Sequence, residues 1–112
     1  MPMQKALQAF RQKKHNCAQS IFRGFQESKR VTEDTIEVAK FLGGGRAPYG
    51  RCGALHAALE LADGPLEREL LTQSFVKKAG SEICREIKKH RKVTCEECVL
   101  LAAEELTRVL AI

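Results

Sequence analysis

Apolar positions recur at helical spacing almost from one end of this chain to the other. Ala6, Leu7, Phe10, Cys17, Ala18, Ile21 and Phe25 fall on one side of a helix predicted from about Gln4 to Gln26, the spacing of a face turned towards a core. Lys13 and Lys14 interrupt the stripe, but their stems can lie along it. Thr32 is the predicted N-cap of a second helix, with Ile36, Ala39 and Lys40 on one side and Phe41-Leu42 at its end. A third helix starts at or near Cys52 and aligns Cys52, Leu55, Leu59 and Ala62, while Ala54, Ala57 and Ala58 keep it slim. Asp63-Gly64-Pro65 stops it and starts a fourth, with Glu67 and Glu69 near its N-terminus. There Phe75, Ala79, Ile83 and Ile87 form the stripe, Cys84 sits on its flank, and Gly80-Ser81 is a place to break or bend. Thr94-Cys95-Glu96-Glu97 is a capping-box pattern opening the last helix, whose face carries Cys95, Val99, Ala102, Leu106 and Val109. Strand alternation and internal repeats are absent from the pattern. The expectation is an all-α bundle of about five helices, one domain over residues 1–112.

One segment departs from this pattern. Gly43-Gly44-Gly45-Arg46-Ala47-Pro48-Tyr49-Gly50-Arg51 reads as a loop, because its glycines permit positive φ and Pro48 excludes a continuing helix. It is not a phosphate loop, since the lysine and Ser/Thr of that motif are missing.

Composition narrows the class. With 44% apolar and 29% charged residues, the chain folds rather than staying disordered, and its length suffices to bury roughly two-thirds of the unfolded surface. No apolar run reaches membrane-spanning length and no export signal opens the chain, so a cytoplasmic, non-membrane protein is expected. The net charge is +5. Its clusters, Arg11-Gln12-Lys13-Lys14-His15 and Lys88-Lys89-His90-Arg91-Lys92, are read as solvated, dipole-complementing surfaces. Nearby Glu82, Glu86, Glu96 and Glu97, and the scarcity of aromatics, argue against a nucleic-acid surface.

The chemistry lies in five cysteines, Cys17, Cys52, Cys84, Cys95 and Cys98. In a reducing cytosol, thiols in sets point to redox or metal chemistry, and an odd number argues against a fully paired framework. Cys95-Glu96-Glu97-Cys98 is a C-x-x-C at a helix N-terminus, where the dipole favours a thiolate and the two carboxylates oppose it. Cys52 follows the glycine loop, opens a helix, and has Arg46 and Arg51 nearby, which predicts a depressed pKa and the attacking role. His56, one turn on, could orient a thiolate or complete a metal site; equally, it reads as a partly exposed helix residue. Cys17 lies within the long first helix, away from a dipole end. Inward thiols from several helices could form reversible disulfides, or Cys17, Cys52, Cys84 and Cys95 could bind zinc or an iron–sulfur cluster.

His15-Asn16-Cys17-Ala18-Gln19-Ser20, Phe41-Leu42-Gly43-Gly44-Gly45, Cys52-Gly53-Ala54-Leu55, Cys84, and Cys95 leading to Val99 and Ala102-Ala103-Glu104-Glu105-Leu106 form an ordered series. From about Ala9 to Leu110 it resembles the C_GCAxxG_C_C family, small helical bacterial and archaeal proteins described as redox-active. Arg51 and Gly53 stand where the family pattern has glycine and alanine, and His56 where its second glycine would fall. The resemblance implies that Cys95 is the fourth family cysteine and that Cys98 is an extra, resolving thiol. The leading expectation is thiol–disulfide exchange or electron relay with a redox partner protein or a small thiol. The alternatives are the four-cysteine metal site and a helical adaptor whose cysteines only pack.

Overall fold

The computed structural model describes residues 2–13, 15–90 and 93–111. Among them are eight α-helices: α1 Pro2–Arg11, α2 Cys17–Gly24, α3 Gln26–Lys29, α4 Glu33–Val38, α5 Gly53–Leu61, α6 Pro65–Ala79, α7 Cys84–His90 and α8 Cys95–Leu110. Short 3₁₀ turns at Ala39–Leu42 and Pro48–Gly50 lie between α4 and α5. No strand occurs among the described residues, although an isolated antiparallel bridge pairs Arg51 with Ile83. The chain is all-α, as its periodicity predicts.

The expected count of about five helices is too low, for local reasons. The long first helix is interrupted: α1 ends at Arg11, Lys13 takes a φ of 61°, and Asn16 caps a new helix at Cys17. The stripe continues across this break because α1 and α2 pack against each other. A β-carbon on Gly24 would lie 2.6 Å from that of Ala6, so the two backbones meet with no side chain between them. Arg30, with a φ of 53°, ends the single turn of α3. Gly80, at a φ of 92°, stops α6, and α7 begins separately at Cys84. The other boundary signals act as read: Thr32 caps α4, Pro65 opens α6, and Thr94 and Glu97 form a capping box on α8.

The core is built on α2, α5, α6 and α8. Ile21, Phe25, Leu55, Leu71, Phe75, Val99 and Leu106 are fully buried. Burial of each of the larger side chains contributes about 1.5–3 kcal/mol. Ala54, Ala57 and Ala58 are also fully buried, which lets α5 lie close to its neighbours. No helix among the described residues is long and apolar enough to cross a membrane.

Candidate functional site

Four of the helices begin with a cysteine in or beside the first turn. Cys17 is the first residue of α2, Cys52 the N-cap of α5, Cys84 the first residue of α7, and Cys95 the first of α8 with Cys98 one turn on. All five line one cavity of about 40 Å³. Gly44, Ile87, Lys88 and Val93 complete its wall. All five cysteines are free thiols.

Each thiol is held by identifiable local structure. The Asn16 side chain accepts from the Gln19 N–H at 2.7 Å, and the Gln19 side chain accepts from the Asn16 N–H at 3.0 Å. This reciprocal cap starts α2 at Cys17. Asn16 Nδ2 also donates to the carbonyls of Ala39 and Lys40 at 3.0 and 3.1 Å, and Gln19 Nε2 to that of Ile36 at 3.0 Å. One pair of amide side chains therefore both starts α2 and ties down the chain that leads into the glycine loop. The Cys17 sulfur accepts backbone hydrogen bonds from Ala18 and from Ala54 at the start of α5.

A second tie positions Cys52 and Cys84. The Cys52 N–H donates to the Glu82 carbonyl at 2.7 Å, and the Arg51 guanidinium meets the Glu82 carboxylate at 3.3 Å. With Arg51 bridged to Ile83, each cysteine lies one residue beyond a bridged partner. The loop passes close at Gly45, whose φ is 83° and whose β-carbon would lie 3.7 Å from that of Cys84.

The thiols divide by exposure. Cys52 and Cys98 are 4% and 3% exposed. Cys17 and Cys84 are half-buried, and Cys95 is exposed at the rim. Cys52 stands between Cys17 and Cys98 and interacts with both as a hydrogen-bonded neighbour. Its pKa is lowered by the Cys17 contact but raised by the Cys98 contact and by burial, so that it is pushed up to about 12. The Cys17 pKa is pushed well above the ordinary thiol range, first by the Cys52 hydrogen bond and then by burial. Burial raises that of Cys95, and nearby Lys88 opposes the rise.

Three expectations are corrected. Cys17 is not within a long helix but at the start of one. Cys52 does not have a depressed pKa: it is buried, Arg51 turns to Glu82, and exposed Arg46 makes no ion pair among the described residues. The third concerns accessibility at the C-x-x-C: Cys98, the extra thiol, is its buried member, and Cys95 is exposed despite the inward stripe it was placed on. His56 does not line the cavity. Its Nε2 lies 3.7 Å from Glu60, its Nδ1 is buried without a hydrogen-bond partner, and burial lowers its pKa.

No group of three or more His, Cys, Asp or Glu among the described residues is placed to hold a metal ion. Two contributors were not singled out from the sequence. Gly53 leaves space for the Cys17 sulfur, and Lys88 stands on the cavity wall. The N-cap at Asn16 was legible as an Asn-x-x-Gln capping box, which places Cys17 at a helix start.

A family model described as "Putative redox-active protein (C_GCAxxG_C_C)" matches residues 15–109. No curated protein and no solved structure matches the chain.

Proposed function

The chain belongs to the C_GCAxxG_C_C family over most of its length, and on that premise we propose that it is a thiol-based redox protein working by thiol–disulfide exchange in the cytoplasm. The observation that supports this reading is the meeting of five thiols from four helices in one cavity.

The exchange runs in two displacements. A cavity thiol loses its proton, and its thiolate attacks one sulfur of a partner disulfide. The partner's S–S bond breaks, a mixed disulfide forms, and the departing thiolate takes up a proton. A second cavity thiol then deprotonates and attacks the protein-side sulfur, releasing the second partner thiol. The partner gains two electrons and two protons, and the protein is left with one internal disulfide. Reduced partner thiols reverse the sequence.

Cys95 is the exposed thiol, Cys17 and Cys84 are half-buried, and Cys52 and Cys98 are buried. High-pKa thiolates are poor leaving groups. A disulfide moved inward onto Cys17 and Cys52 therefore reopens slowly, so oxidation entering at the rim settles in the interior.

Equilibration in graded glutathione buffers, acid trapping and peptide mapping tests this. Disulfides confined to the cavity cysteines, appearing in a two-electron transition, are the expected result. Five free thiols at the oxidising end of the series would sink the reading.

A further inference from the structure

The thiol cavity does not stand alone. An open groove of about 490 Å³ shares Gly44, Cys84 and Lys88 with it. One side is the glycine loop, where Gly44, Gly45 and Gly50 hold φ values of 63°, 83° and 72° and present backbone without side chains. Tyr49 stands at the edge, 88% exposed. The other side is α7, which brings Cys84, Arg85 and Lys88 to the groove.

The charge of this groove is uneven. Arg85 and Lys88 are exposed, and neither makes an ion pair among the described residues. The acidic lining residue, Glu86, faces His90 at 3.7 Å. Some surface cations elsewhere are matched, as Arg11 is by Glu96 and Arg23 by Glu33, and others such as Arg46 make no ion pair among the described residues. Arg85 and Lys88 differ in lining a groove that also holds a thiol. The volume falls within the range of sites that hold small molecules. A large protein surface would not enter it.

Resting on the redox reading above, we propose that this groove receives a low-molecular-weight disulfide bearing carboxylates and delivers its sulfur to Cys84. Arg85 and Lys88 hold the carboxylates, and the bare glycine backbone lets the small molecule lie close. The Cys84 thiolate attacks one sulfur and a mixed disulfide forms, while the other half leaves as a thiolate and takes a proton. Cys95, which shares the cavity and interacts electrostatically with Cys84, loses its proton and attacks the Cys84 sulfur. The second half then leaves as a thiol. One small disulfide becomes two small thiols, and the protein loses two electrons and two protons.

The test uses the reduced full chain and three disulfides of similar size: dithiodipropionate with two carboxylates, neutral hydroxyethyl disulfide, and cationic cystamine. Rates of mixed-disulfide formation, mapped to the modified cysteine, are normalised to each probe's reaction with free mercaptoethanol. The dianion is expected to modify Cys84 roughly five- to tenfold faster than the neutral probe, with the cationic probe slowest. The contrast should collapse in molar salt, as partly exposed charges require. In the double variant Arg85→Glu, Lys88→Glu the order of the three should invert. Unchanged helical circular dichroism checks that the variant is folded. Equal normalised rates, an anion preference that survives the double variant, or first modification at Cys95 would each overturn the proposal while leaving the redox reading intact. If no probe yields an adduct or an internal disulfide, the redox reading itself has failed.

Discussion

The Cys17 sulfur occupies space that Gly53 leaves open. A β-carbon on Gly53 would lie 2.7 Å from that sulfur and 2.9 Å from the Leu42 carbonyl oxygen. Neither neighbour is free to move, because Cys17 is anchored by the cap at Asn16 and Leu42 closes the turn beneath it. Replacing Gly53 with Ala is therefore expected to destabilise the fold by about 1–3 kcal/mol through overpacking, despite alanine's better helix propensity. Urea denaturation measures the loss, and the alkylation rate of Cys17 should rise as its sulfur is displaced. An alanine variant as stable as the parent would show that the contact is not a real constraint.

Asn16 makes separable contributions. Its oxygen caps α2, and its amide nitrogen holds the carbonyls of Ala39 and Lys40. Asn16→Ala removes both and should lower stability by about 2–3 kcal/mol, with capping contributing about 1 of these. Asn16→Asp keeps the cap but sets a carboxylate against two carbonyls. It should destabilise as much as alanine or more, and thermal melts of the two variants would decide. An aspartate as stable as asparagine would mean that the donor bonds contribute nothing.

Burial orders the thiols by reactivity. Iodoacetamide under reducing, native conditions should modify Cys95 first, Cys84 and Cys17 next, and Cys52 and Cys98 last. With a pKa of about 12 for Cys52, only about one molecule in ten thousand carries its thiolate at about pH 8. Quenched digests read by mass spectrometry give the order directly. Modification of Cys52 at a rate near that of Cys95 would contradict the described packing.

The same proton binding makes stability depend on alkaline pH. A thiol is neutral when protonated, and the folded state favours that neutral form at Cys52. The folded protein therefore holds this proton to higher pH than the unfolded chain does. The contribution is fully present below the ordinary thiol value of 9.0 and is lost as pH rises towards about 12. Linkage sets the loss at roughly 1 kcal/mol per pH unit for each such thiol. Denaturant midpoints across this window should fall less steeply for Cys52→Ala than for the parent chain. Parallel slopes would refute the assignment.

The extent to which the sequence revealed this arrangement depended on the range of the forces involved. Thr32, Pro65, Gly80 and Thr94 act within one turn of themselves, so the helix boundaries they set were legible. The break at Lys13 was masked, because the apolar stripe runs on from Phe10 to Cys17 when two separate helices bury the same side, and the Asn16–Gln19 spacing was the one local sign against it. Periodicity reports which side is buried, not whether the backbone is continuous. The thiol environment was harder still. Arg51 is adjacent to Cys52 in sequence, but its partner is Glu82, far along the chain. Charge that looked available to a thiolate is spent on a contact that only folding creates. The unequal exposure of Cys95 and Cys98 has a similar origin. Both fall on the cavity side of α8, and only the packing around that helix decides which one is covered.

The tie between Arg51 and Ile83 joins parts of the chain that are distant in sequence, and the thiols beside it begin different helices. Any disulfide formed between two of these helix starts turns an open linear polymer into a ring with tails. A longer ring removes more freedom from the unfolded chain, so the choice of cysteine pair also sets how strongly oxidation resists unfolding. Under this architecture redox state is recorded as chain topology, and gel mobility under denaturing, non-reducing conditions would distinguish the open chain from each of its rings.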